Sequence, residues 1–365
     1  MTAKKIVVNA TALNVGGAKT ILCQFLQNIN DENEYIVFLD SVNSDLQTTK
    51  NVTVHKVKLG GWLKRIQWDF FALAAYLKRK NIKPDLFISL QNTSAGGLQR
   101  TNQLIYLHQP IPFSSGRWSP FKRDERVLFL YKYFYSFFIS IFIKKSDNIV
   151  VQTEWMRDAV RSRNWVHSKN IHVIKPSIGF DENIVKTKRI IEEEYVFYPA
   201  SSVSYKNHVI LAKAIARLKN KIKLAVSILP GENDEFDKLV DKLDIKDRVI
   251  YLGYQDKIGM QSLYQNALAV VFPSKLETFG LPLSEAASMG KYIIASDASF
   301  SREVLKGYPG VKFCDADDDE QWCQALSSII GKKMDVEPLS IKYESGWADF
   351  FNLIESILCS NPKNY

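Results

Sequence analysis

Residues 271–297 read VFPSKLETFGLPLSEAASMGKYIIASD. A β-branched run ends at Phe272, a short loop holds Glu277 and Gly280, and Pro282 marks the start of a helix. Proline suits the first helical position because its missing N–H would have no partner there. Gly280 lets a ligand come close to the backbone. The free N–H groups expected at Gly280, Leu281 and Leu283, with the positive end of the helix, describe an anion site. Two carboxylates flank it, Glu277 in the loop and Glu285 one turn into the helix. A carboxylate beside a phosphate site is electrostatically wrong unless it binds hydroxyls, such as those of a sugar or ribose. The alternative is that Glu285 only complements the helix dipole and Glu277 is a solvated loop charge.

Working outward, LAVVF (268–272) precedes this stretch and KYIIA (291–295) lies within it. Further runs at 194–199, 222–228, 248–252 and 311–314 make one series of strands. An earlier series lies at 4–9, 34–39, 52–57, 85–90, 103–107 and 147–152. Helical spacing separates them, at 18–29, 66–80, 206–219, 234–243 and 283–289. Such alternation predicts βαβ units and parallel sheets, here α/β with two doubly wound domains. The seam falls at 175–193, which is polar and lacks a period. The boundaries expected are 1–175, a linker at 176–193, a second domain at 194–340 and a terminal helix and tail at 341–365. Trp347, Phe350, Phe351, Ile354 and Leu358 share one helix face. That helix packs either across the seam onto the first domain or onto its own.

Composition bounds the rest. Of 365 residues, 46% are hydrophobic and 24% charged, which excludes disorder, collagen and coiled coil. Four Cys (23, 314, 323, 359) form no disulfide framework and no CxxC pair. The N-terminus, MTAKKIVVNA, has too short an apolar stretch for a signal peptide and reads as a strand, so a cytoplasmic protein is the expectation. Net charge is +9, and residues 1–175 hold 25 of the 48 basic but only 12 of the 39 acidic side chains. The excess suits an anionic partner for that half or simply serves solubility. No zinc-finger spacing, RNP-type motif or Arg-rich helix points to nucleic acid. The five histidines lack metal-ligand spacing. The acidic cluster from Asp315 to Glu320 reads as the charged start of a helix rather than a metal site.

Residues 127–143 (VLFLYKYFYSFFISIFI) form an aromatic-rich run. Lys132, Ser136, Ser140 and Lys144 would share one helix face, and Arg123, Arg126, Lys144 and Lys145 flank it. A buried helix, a helix dipped into a membrane interface, and a spanning helix are the three readings. Basic residues here would favour anionic lipid by roughly 1 kcal/mol each.

The pattern P-S-x-x-E-x-F-G-L-P-x-x-E-A-x-x-x-G, with its E-x7-E pair, resembles the signature of retaining glycosyltransferase family 4, the group 1 glycosyltransferases. Other pieces fall in the matching order: Gly16-Gly17 after the first strand, His108 in YLHQPIPF, Lys206-Asn207 in SYKNH, and Gly253 in YLGYQ. The resemblance implies the GT-B fold, with two Rossmann-like domains facing across a cleft and a C-terminal helix crossing back. It implies retaining, metal-independent transfer of a sugar from a nucleoside diphosphate sugar to an acceptor hydroxyl, without a cofactor. Glu277 would contact the donor sugar near the reaction face, and His108 would stand near that sugar. Lys206 would neutralise the diphosphate and Glu285 would hold ribose hydroxyls. The amides of Phe279, Gly280 and Leu281, and those of Gly16 and Gly17, would bind phosphate or sugar, and Gly253 and Tyr254 the base. Ser201 stands where the family usually has Arg, Thr278 where Gly is commoner, and Gln109 where Asp is common. Arg123, Arg126, Lys132, Lys144 and Lys145 are the candidate membrane and acceptor contacts. A lipid-linked glycan at the cytoplasmic face of an anionic membrane, in O-antigen or capsule assembly, is the acceptor this implies. The rival readings are a catalytically silent binding module and a GT-B-fold epimerase or hydrolase.

Overall fold

The computed structural model describes residues 3–14, 16–30, 32–40, 49–123, 125–177, 188–332, 334, 336–339 and 346–360. Most of the expected linker, 178–187, lies outside them. The chain divides into two compact units: Met1–Phe121, Arg126–Ser177 and Tyr343–Tyr365 in one, Lys122–Glu125 and Ile178–Lys342 in the other.

In the first unit, seven parallel strands are ordered β3-β2-β1-β4-β5-β6-β7. They are β1 (Lys5–Asn9), β2 (Glu34–Asp40), β3 (Val52–Val57), β4 (Leu86–Ser89), β5 (Asn102–Tyr106), β6 (Asn148–Val151) and β7 (Ile171–Val173). The inner strands are rich in β-branched and aromatic residues and buried at nearly every position, as a parallel sheet requires. β7, only three residues long, gives no periodic signal and was not expected from sequence. The helices are α1 (Gly16–Gln27), α2 (Trp62–Gln67), α3 (Leu73–Arg79), α4 (Arg126–Tyr133), α5 (Tyr135–Ser140) and α6 (Glu154–Arg161). A π-helical turn, Trp68–Ala72, joins α2 to α3.

The run at 127–143 is not one helix. It breaks at Phe134, where φ is −115°, and helical structure ends at Ser140. Aromatic side chains lose rotamer freedom in a helix, which lowers the helix propensity of this stretch. Among the described residues no helix is long and apolar enough to cross a membrane, which removes the spanning reading. The fully buried reading fails too: Leu128 and Ile139 face inward, but Val127, Leu130, Tyr133, Phe134 and Phe137 are exposed.

The second unit has six parallel strands ordered β10-β9-β8-β11-β12-β13. They are β8 (Tyr195–Tyr198), β9 (Lys223–Val226), β10 (Val249–Tyr251), β11 (Ala269–Phe272), β12 (Ile293–Ser296) and β13 (Val311–Cys314). Its helices are α7 (His208–Arg217), α8 (Asp234–Lys242), α9 (Lys257–Asn266), α10 (Leu281–Ser288), α11 (Ser299–Val304) and α12 (Asp319–Ile329). Asn233 caps α8, Asp256 caps α9, and Asp318 caps α12 by accepting from the amides of Glu320 and Gln321. The acidic cluster therefore starts a helix, as its composition suggested.

The last helix, α13 (Gly346–Cys359), belongs to the first unit, which resolves the two placements open in the sequence. Its Trp347, Phe350, Phe351 and Ile354 join a core made by β1, β2 and α1. Phe351 stacks on Phe25 at 5.6 Å and Trp347 on Tyr106 at 5.8 Å. Trp347 Nε1 donates to Gln24 Oε1 at 2.9 Å, so even its polar atom is satisfied. Burying each such ring contributes about 1.5–3 kcal/mol. A Cβ on Gly346 would lie 2.0 Å from the Lys175 carbonyl, so only glycine lets the helix start there.

Both sheets reverse strand order once, between β1 and β4 and between β8 and β11. In open α/β sheets, ligands bind beyond the carboxyl ends of the strands at that point.

Candidate active site

At the second unit's switch point, β8 ends at Tyr198 and leads into a 3-10 turn, Ser204–Lys206. Asn207 then takes a left-handed backbone, φ 60°, before α7. Its Nδ2 donates to the Ala316 carbonyl at 2.7 Å, pinning the turn. Asparagine tolerates this conformation better than most residues. Lys206 is thereby aimed at the loop after β11, where its ammonium donates to Glu277 in an ion pair. The ammonium also lies 5.6 Å from the Tyr205 ring and 5.9 Å from that of Phe272. Burial, reinforced by the Glu277 charge, raises the Tyr198 and Tyr205 phenols, so both stay protonated.

Gly280 sits at φ 85° immediately before α10. The helix starts at Leu281, one residue before the expected Pro282. The Leu283 amide donates to the Gly280 carbonyl at 2.9 Å, so it is not a free anion donor as expected. The turn that Gly280 makes consumes it. Among the described residues, no backbone hydrogen bond outside the regular elements uses the amides of Phe279, Gly280 or Leu281.

Glu285 lies in α10, and the Tyr264 phenol donates to its Oε2 at 2.8 Å. Burial pushes its carboxyl up to about 7, against the pull of that hydrogen bond and the Lys257 charge. Tyr264 belongs to LYQNALAVVFPS, and helical spacing gives no hint that it braces Glu285 twenty-one residues on. Gly253 has φ 63°, with Tyr254 beside it 89% exposed. Ser201, in the loop after β8, is exposed.

The remaining expected residues lie in the first unit. Gly16 and Gly17 open α1, both exposed, and a Cβ at Gly16 would meet open space. His108 follows β5. Its amide donates to Asn92 Oδ1 at 2.6 Å, and its Nε2 lies 2.9 Å from the Leu90 carbonyl. A carbonyl only accepts, so Nε2 carries the proton and Nδ1 is the ring's acceptor. Burial lowers its pKa, which favours the neutral ring.

Sequence reading missed a polar cluster at the first switch point. Asp69 Oδ1 accepts from Asn9 Nδ2 at 2.8 Å and Gln91 Nε2 at 2.9 Å, and Oδ2 accepts from the Thr93 hydroxyl at 2.7 Å. The π-helical turn presents Asp69, and π-turns often occur at functional sites. Gly96 admits the turn: its amide donates to the Asp69 carbonyl at 2.8 Å, and a Cβ there would meet Phe70 O at 2.4 Å. Burial raises the Asp69 carboxyl to about 7 despite three donated hydrogen bonds. Isolated polar residues at 9, 69, 91 and 93 leave no motif; only the sheet brings them together.

The expected membrane lysines are engaged with the protein. Lys132 donates to the Ser114 carbonyl, Lys144 to the Thr101 carbonyl at 2.6 Å and Lys145 to Asn164 Oδ1 at 2.9 Å. Lys144 also pairs with Asp147 at 3.5 Å. Arg126 donates to the Pro120 carbonyl at 3.1 Å, and Arg123 is exposed. Long basic side chains beside carbonyls brace loops as readily as they greet lipid, and spacing alone does not separate the two roles.

Two family descriptions match this chain: Glycosyltransferase Family 4 over residues 15–181 and Glycosyl transferases group 1 over 180–337. The chain belongs to the group 1 glycosyltransferases. It is 27% identical to the O-antigen chain mannosyltransferase RfbU of Salmonella typhimurium over 62% of this chain and 61% of that one. The matched stretches span roughly half the length of the curated relatives (61%, 44% and 47% for three of them). Among solved structures, a sucrose-phosphate synthase from Thermosynechococcus elongatus superposes with a TM-score of 0.73 at 14% identity, covering 98% of this chain and 100% of that one. Anabaena HepE, solved in complex with UDP-glucose, superposes with a TM-score of 0.67 at 17% identity, covering 98% and 100%. These neighbours establish the GT-B fold type, with two Rossmann-like parallel-sheet domains.

Proposed function

We propose that this protein transfers a hexose from a nucleoside diphosphate sugar to a hydroxyl of a lipid-linked glycan, with retention and without a metal. The observation that carries the reading is the Lys206–Glu277 pair beside the unused amides of Phe279, Gly280 and Leu281. On donor binding, Lys206 turns from Glu277 to the diphosphate and Glu277 is released to accept sugar hydroxyls. Glu285 holds the ribose, and Gly253 and Tyr254 the base. The bond from the anomeric carbon to the diphosphate oxygen breaks, the bond to the acceptor oxygen forms on the same face, and the acceptor proton passes to the departing phosphate. Negative charge grows on that phosphate, where Lys206 and the amides act. The kinship with an O-antigen mannosyltransferase and a neighbour solved with UDP-glucose support this substrate class. The basic first half and its exposed aromatic helices support peripheral attachment to the cytoplasmic face of an anionic membrane.

The test is a melting-temperature panel with UDP, GDP, ADP and CMP and their sugar conjugates, in EDTA, followed by transfer assays with the donor that binds. A shift with one nucleoside diphosphate sugar and transfer in EDTA are expected. Ser201 in the place of an arginine favours a second reading, a silent sugar-nucleotide-binding module. Under it, Glu277→Ala would leave the only measurable property, binding, largely intact, and no transfer would occur with any donor.

A further inference from the structure

Two neighbouring hollows that share wall residues lie in the first unit. The outer one, of about 300 Å³, is walled by Trp62, Val127, Leu130, Tyr131 and Phe138. The inner one, of about 60 Å³, reaches Asp69, Gln91 and Thr93. Arg65 lines both. Its Nε is buried with no hydrogen-bond partner, and it forms no ion pair among the described residues. A buried unpartnered guanidinium donor is costly unless a ligand satisfies it. The sequence of chemistries running inward is therefore apolar, then cationic, then hydroxyl-binding. Asp69 has about four lone-pair sites and three donors, which leaves one for an incoming hydroxyl. The Tyr135 phenol donates to the Gln91 carbonyl at 3.4 Å, tying the groove wall to this cluster.

We infer that this groove seats one long-chain lipid phosphate: the chain against Trp62, Leu130 and Phe138, the phosphate on Arg65, and the attached hydroxyls toward Asp69 and Thr93. The occupant is argued from charge and order, since a neutral lipid leaves Arg65 unsatisfied and a free phosphate leaves the aromatic wall unused. The inference rests on the acceptor part of the proposed function and gives that acceptor a place on the chain. It differs from a membrane-surface contact, for which Lys132, Lys144 and Lys145 are already occupied by carbonyls and carboxylates.

The experiment titrates the full chain by calorimetry with decyl phosphate below its micelle concentration, and with decanol, inorganic phosphate and anionic vesicles as separate arms. Decyl phosphate is expected to bind at least about tenfold tighter than decanol or inorganic phosphate. Arg65→Gln should remove that preference, Arg65→Lys should keep part of it, and Leu130→Asp should lower binding of the chain. Equal binding by wild type and Arg65→Gln, or binding seen with vesicles alone, overturns the inference. Nucleoside diphosphate binding, followed in parallel, is expected to be unchanged in all three variants. Absence of decyl phosphate binding by the wild type with donor binding intact breaks the groove assignment alone, and decyl phosphate binding without any nucleoside diphosphate binding breaks the donor reading alone.

Discussion

The two switch points hold carboxylates in opposite settings. In the first unit, Asp69 is ringed by neutral donors from Asn9, Gln91 and Thr93. In the second, Glu277 faces the Lys206 ammonium. One switch point thus hosts a carboxyl that burial drives toward neutrality, and the other a carboxylate side chain paired with an ammonium. The first arrangement suits hydroxyls, since a neutral or half-neutral carboxyl both donates and accepts. The second suits a reaction in which negative charge appears and a cation must be on hand. The shared reversal of strand order points to where ligands would bind, and the local charge to which ligands.

The largest expected effect strikes the ionic site. Lys206→Ala should lower kcat by about 10²–10³, the range typical of losing one charge-stabilising donor, with kinetics on the preferred donor as the measure. Asp69→Asn should lower kcat far less and act mainly on acceptor KM. An equal loss of kcat in both would erase the contrast between the two sites.

Next comes the stability of the first unit. Trp347→Ala removes a buried ring that stacks on Tyr106 and bonds Gln24, and should cost about 3–5 kcal/mol in denaturant unfolding. Donor binding by the second unit should persist at denaturant concentrations that unfold the first.

The pH predictions sharpen the comparison. The folded pKa of Asp69 is raised to about 7, above its unfolded value. A raised carboxyl contributes stability that is fully present below the unfolded pKa and is lost as pH climbs toward 7. The melting-temperature gap between wild type and Asp69→Asn should therefore move against wild type between about pH 4 and 7. A constant gap across that range would show that burial does not dominate there. Glu285, also raised to about 7, should make nucleotide affinity rise as pH passes from 6 to 8 if it holds the ribose as proposed, because the carboxylate is the better acceptor for two hydroxyls. Glu285→Gln should flatten that profile in a calorimetric titration.

The smallest effect is expected at an exposed ion pair. Breaking the Lys246–Asp241 pair, 2.9 Å long with both side chains more than half exposed, should change stability by under about 1 kcal/mol.

Much of the second unit's site was legible in the sequence because it is local. Phe272 to Glu285 is one strand, one turn and one helix, and proline, glycine and strand periodicity announce each. The departure at Leu283 shows the limit: its amide looked free by helix counting, but the left-handed Gly280 turn folds a carbonyl onto it. The first unit's cluster was illegible because its members come from β1, the π-helical turn and the segment after β4. The aromatic run at 127–143 was visible, but its break at Phe134 was not, since no proline or glycine marks it.

By itself, the sequence determined the alternation of strands and helices, the two-domain α/β class, the family and the position of the donor-type loop. These follow from hydrophobic periodicity and short-range backbone chemistry, which act between neighbours in the chain. Only the tertiary structure decided that α13 completes the first unit, that Lys206 reaches Glu277, that Lys144 and Lys145 are tied down, and that Arg65 stands between an aromatic groove and Asp69. Each of these depends on residues far apart in sequence, whose meeting is set by strand order and burial rather than by spacing.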